Sequence, residues 1–80
     1  MRLTFGHEGD WIVDPRELAA RLEMPVRDLK RLKRRGQVDA KLATGDGEDT
    51  GLSRVTVRLP DRGWWGIFDQ SGSLIEEDAW

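Results

Sequence analysis

DPRELAARLEMPVRDLKRLKRRG, residues Asp14 to Gly36, reads as two short amphipathic helices joined by a tight corner. Asp14 is a favoured N-cap, Pro15 suits the first helical position, and Glu17 falls three residues on to complete a capping box. Val13 before the cap and Leu18 after it form the matching hydrophobic staple. Leu18, Ala19 and Leu22 share one face. Met24-Pro25 ends this helix, because a residue preceding proline is driven away from helical angles. Pro25 is tolerated in a first turn, so a second helix starts there at once. Val26, Leu29 and Leu32 lie within about 120° of arc and form its buried face. Arg27, Lys30, Arg31 and Arg34 fall on the opposite side. Gly36 is the expected left-handed stop, and the basic last turn complements the helix dipole.

Working outward, residues 1–13 read as an N-terminal β-hairpin. Arg2-Leu3-Thr4-Phe5 alternates, Gly6 to Asp10 is a turn cluster with His7 at its tip, and Trp11-Ile12-Val13 is a second strand-like run. From Gln37 the period changes to two, and residues 37–80 read as an antiparallel meander. Val38 to Thr44 suits a strand, and Gly45-Asp46-Gly47-Glu48-Asp49-Thr50-Gly51 is a polar loop. Ser53 to Leu59 alternates cleanly, with Val55, Val57 and Leu59 opposite Arg54, Thr56 and Arg58. Pro60 to Gly63 turns into a strand from Trp64 to Phe68. Asp69-Gln70-Ser71-Gly72 is a type I turn with a following glycine bulge, which sets Phe68 opposite Leu74 in the strand Ser73 to Glu76. The expected architecture is a single α+β domain: hairpin, helix-turn-helix-like pair, C-terminal β-meander. The helices cover one sheet face through Leu18, Leu22, Leu29 and Leu32.

Eighty residues, 38% of them hydrophobic and 35% charged, allow only a thin core, so four Trp and two Phe supply much of its buried area. A dimer interface would supplement such a core. With no cysteine there is no disulfide framework or thiolate chemistry, and a single histidine leaves zinc without its usual ligands. No apolar run approaches a membrane span, and MRLTFGHEGD lacks a signal-peptide segment, which predicts a soluble cytoplasmic protein. The charge is uneven. Residues 25–36 carry six cations against Asp28, a net +5, so the rest of the chain carries −7 of the overall −2.

The two-helix unit resembles the helix-turn-helix of bacterial transcription regulators. Leu18, Ala19 and Leu22 match the motif's first-helix packing positions, and Met24, Leu29 and Leu32 its later apolar ones. The resemblance implies that Pro25 to Arg35 is a recognition helix presenting Arg27, Lys30, Arg31 and Arg34 to DNA. Glu23 stands where the motif usually has glycine, and Pro25 where it usually has a capping Ser or Thr. The opposing reading is a solvated basic face paired with Glu48, Asp49 or the Glu76-Glu77-Asp78 tail. A second resemblance spans most of the chain and rests on Gly47 to Val57 and on Phe68 to Gly72. These are similar to stretches in a family of short bacterial proteins of unknown function, which implies a stand-alone domain of this size and supplies no activity.

Trp64 and Trp65 point to opposite faces of one strand. Trp64 shares parity with Phe68 and is assigned to the core, leaving Trp65 outward with Ile67 beside Arg54 and Arg58. That group could stack bases, anchor a protein interface, or pack under Trp80; the interface or packing reading is favoured, since aromatic residues are the usual interface anchors. Asp46, Glu48 and Asp49 invite calcium, but no bidentate Glu follows at the spacing an EF-hand requires. There is no Tyr, no Cys, one loop-tip His and no glycine-rich phosphate loop leading from strand to helix. The expectation is a non-enzymatic module with no cofactor, no metal and no small-molecule substrate. Its partner is expected to be a protein or a second copy through Trp65, Ile67, Arg54 and Arg58. The alternative is DNA through the basic helix.

Overall fold

The computed structural model describes Leu3, residues 13–45 and residues 51–80. Among these residues the elements are α1 (Pro15–Arg21), α2 (Val26–Arg34), β1 (Asp39–Thr44), β2 (Ser53–Arg58), β3 (Gly63–Phe68) and β4 (Leu74–Ala79). The strands form one antiparallel sheet in the order β1-β2-β3-β4. The α+β class and the meander are as expected, but the described order is helices first and then strands. The expected N-terminal hairpin is represented only by an isolated antiparallel bridge between Leu3 and Val13. Leu3 gives its N–H to Gly72 O at 3.0 Å, in the β3–β4 turn. The remaining hairpin positions, His7 included, lie outside the described residues, as do the loop positions Asp46 to Thr50.

α1 begins as its capping chemistry dictates: Asp14 Oδ1 accepts from the Arg16 N–H at 2.8 Å, with Pro15 in the first turn. Its end comes earlier than the proline would impose. The helix stops at Arg21 because Glu23 takes a left-handed conformation, φ 57°. The Glu23 N–H then reaches Ala20 O at 3.2 Å and the Met24 N–H reaches Ala19 O at 3.0 Å, a Schellman pair. Arg62 Nη1 donates to Leu22 O at 2.8 Å, satisfying a carbonyl that the helix end leaves unpartnered. Glycine occupies such a position without strain, whereas glutamate does not. Glu23→Gly is therefore expected to raise stability by about 0.5–1 kcal/mol, read as an upward shift of the urea midpoint at unchanged m-value. A lowered midpoint would contradict this account of the turn.

Pro25 caps α2 from outside, with ψ 143°, and its carbonyl accepts from Asp28 and Leu29. Gly36, φ 71°, closes the helix as expected, with the Gln37 N–H returning to Leu32 O at 2.9 Å. Leu29 is fully buried, and Val26 and Leu32 pack at the core margin. The helices cover the inner sheet face through Leu18, Ala19, Leu22 and Leu29, over Val55, Val57, Trp64 and Phe68. Trp64 and Phe68 meet edge to face with centroids 6.4 Å apart.

The β3–β4 connection matches its sequence. Gly72, φ 82°, returns its N–H to Asp69 O, the Asp69 N–H reaches Ser73 O, and Asp69 Oδ1 accepts from the Ser71 and Ser73 amides. Phe68 pairs with Leu74, and the register shifts between Ile67 and Phe68. Several strand limits differ from expectation: β2 ends at Arg58 rather than Leu59, β3 starts at Gly63 rather than Trp64, and β4 starts at Leu74 rather than Ser73. β1 starts at Asp39 rather than Val38, whose side chain packs against the core. β4 runs to Ala79, so the acidic tail is a strand, closed by reciprocal Gly63–Trp80 backbone bonds at 3.0 Å.

Candidate functional site

Register sorts the outer sheet face, opposite the helices, into stripes. β1 contributes Asp39, Lys41 and Ala43; β2 contributes Arg54, Thr56 and Arg58; β3 contributes Gly63, Trp65 and Ile67; β4 contributes Glu76 and Asp78. The four residues expected together are together. Arg54 lies opposite Ile67, Thr56 opposite Trp65, and Arg58 opposite Gly63. The Arg54 guanidinium stands 5.2 Å from the Trp65 ring centroid, a cation–π contact between diagonal neighbours. Trp65 and Ile67 are half-buried, while Arg54 and Arg58 are exposed. Trp80, 57% exposed, lays its ring where a Gly63 Cβ would project, so it joins this face beyond the end of β4. Trp64 is turned inward at 1% exposure, as its parity with Phe68 requires.

Sequence reasoning left Glu76, Glu77 and Asp78 in a polar tail. In the fold, Glu77 faces inward and its Oε1 accepts from Trp64 Nε1 at 3.0 Å and pairs with Arg21 at 3.1 Å. One carboxylate thus satisfies the only polar atom of the largest core side chain and ties β4 to α1. Glu76 and Asp78 face outward beside Ile67 and Trp65. No alternation marks this face in the sequence, because Glu76, Glu77 and Asp78 are all polar.

On α2, Arg27, Lys30, Arg31 and Arg34 are all exposed and follow i, i+3, i+4, i+7 spacing, a row about 10 Å long. Among the described residues none of the four has an ion-pair partner. The acidic tail does not neutralise them, because its inward carboxylate, Glu77, is engaged by Arg21 on α1. Arg27, Lys30, Lys33 and Arg34 line an open depression of about 480 Å³. Among the described residues there is no cluster of His, Cys, Asp or Glu able to hold a metal ion, and no helix is long and apolar enough to cross a membrane.

The fold and surfaces define a small α+β domain: a two-helix corner on one face of a four-stranded meander, with the other face, among the described residues, open, aromatic and charged. The chain belongs to DUF6522, a family of unknown function, whose model matches residues 1–80. No curated protein and no solved structure matches it.

Proposed function

We propose that this chain is a non-enzymatic protein-interaction module that works, self-association included, through the outer face of its sheet. The observation that carries the reading is the contrast between the two faces. The helices bury the inner face, whereas among the described residues no element packs on Trp65, Ile67, Arg54 and Arg58. Aromatic residues and arginine are the side chains enriched at interface centres, and the Arg54–Trp65 pair holds both in place before contact. Light scattering coupled to size exclusion over a concentration series tests it. Trp65→Ala is expected to weaken association at least tenfold, while Arg31→Ala leaves it unchanged. Equal association of native protein and Trp65→Ala would contradict the reading.

A second reading, DNA binding through α2, has its own support. The cation row lacks ion pairs among the described residues, and Glu23 adopts the left-handed turn that a helix-turn-helix corner uses. Anisotropy of labelled duplex DNA is then expected to show binding that weakens log-linearly with salt and is lost in Arg27/Arg31/Arg34→Ala. Absence of binding at low salt up to about 100 μM protein would refute it, since non-specific binders reach dissociation constants of about 10⁻⁴–10⁻⁶ M at physiological salt.

A further inference from the structure

We infer that the occupant of the outer face is a second copy of this chain, docked face to face about a two-fold axis running parallel to the strands along β3. The inference rests on the interaction-surface reading above and adds the partner and its geometry.

The lateral order of charge across the face points to this pairing. Across the face, β2 presents Arg54 and Arg58, β3 presents Trp65 and Ile67, and β4 presents Glu76 and Asp78. Asp39 and Lys41 on β1 cancel. A positive stripe, an apolar stripe and a negative stripe therefore run side by side, with the apolar one in the middle. An in-plane two-fold axis relating two such faces has two limiting directions that keep the strands aligned. An axis perpendicular to the strands sets arginines against arginines and carboxylates against carboxylates. An axis parallel to the strands exchanges left and right. It lays β2 of one copy over β4 of the other, twice, and sets Trp65 and Ile67 against their own counterparts. Only the second is electrostatically self-complementary, and like charges juxtaposed at an interface are strongly disfavoured.

Size sets the strength. Three overlapping strands at about 4.8 Å spacing and six residues at about 3.3 Å give a footprint of roughly 14 by 20 Å. That is below the standard size of stable interfaces, so the dimer is expected to be weak and reversible.

Sedimentation velocity on two complementary charge-reversal variants tests the geometry. Arg54→Glu/Arg58→Glu makes both outer stripes negative, and Glu76→Arg/Asp78→Arg makes both positive. All four side chains are exposed, so the core is untouched, and circular dichroism checks that each variant is folded. Each variant alone is expected to dimerise at least tenfold more weakly than native protein. Their equimolar mixture is expected to recover dimerisation to within about threefold. Association that Trp65→Ala abolishes but the mixture does not recover would overturn this two-fold pairing while leaving the outer face as the contact surface. Native association that Trp65→Ala leaves intact would overturn the pairing and the interaction-surface reading together, and a native protein monomeric to about 1 mM would overturn the pairing.

Discussion

Replacing Trp64 with alanine is expected to cost about 3–5 kcal/mol of folding free energy, the range for removing a large aromatic side chain from a core. Three links run through this residue. Its ring is 1% exposed and meets Phe68 edge to face. Part of the ring lies across Gly66, so the space it leaves borders backbone that cannot collapse to fill it. Its indole N–H occupies Glu77 Oε1, the same atom that Arg21 binds, so truncation also loosens the junction of β4 with α1. Domains are stable by only about 5–15 kcal/mol, and this one has a thin core. Trp64→Ala is therefore expected to be substantially unfolded in water, with urea denaturation and loss of strand signal by circular dichroism as the readout. A loss below about 1 kcal/mol would contradict the assignment of Trp64 as the centre of the core.

Gly66→Ala carries the second large effect. A Cβ at Gly66 would lie 2.5 Å from the Trp64 ring and 2.9 Å from Leu74 Cδ1. Neither neighbour is free to yield, because Trp64 is enclosed by the core and Leu74 packs against it. The expected loss is about 1–3 kcal/mol, typical of overpacking, with a lower urea midpoint. Gly63→Ala supplies the control on the other face of the same strand. There the obstructing group is the Trp80 ring, 57% exposed, which can swing aside. A smaller loss at Gly63 than at Gly66 is the expected order, and the reverse order would contradict the assignment of faces on β3.

These effects concern residues whose roles differed in how far the sequence revealed them. Local chemistry was legible where one residue type answers one backbone need: Asp14 at the start of α1, Gly36 at the end of α2, Asp69 and Gly72 in the bulged turn. Parity was legible in β2, where polar and apolar residues alternate; β3 has no polar side chain, and Trp64 was placed inward only by sharing parity with Phe68. Parity was hidden in β4, because Glu76, Glu77 and Asp78 are uniformly polar while their surroundings differ. Glu77 is spent on Trp64 and Arg21, and its neighbours face outward. The end of α1 was misplaced for the opposite reason. Pro25 advertised a stop, while the left-handed residue that makes it is a glutamate that propensity would not choose.

The candidate surface divides in the same way. Arg54, Arg58, Trp65 and Ile67 could be grouped from periodicity alone, and so could the four cations of α2. The acidic stripe that balances the arginines could not, because it exists only once β4 is seen to run to Ala79 beside β3. That stripe makes the face self-complementary, where the four predicted residues alone would present only a basic aromatic patch.

The most direct measurement of the central claim, that the outer sheet face is the contact surface, is a dilution series of ¹⁵N-labelled native protein followed by amide chemical shifts. Concentration-dependent shifts are expected at Arg54, Thr56, Arg58, Trp65, Ile67, Glu76 and Asp78, together with the indole N–H of Trp65. The amides of Arg27, Lys30, Arg31 and Arg34 are expected to stay fixed. Shifts confined to α2, or no shift at any amide up to millimolar protein, would contradict the account.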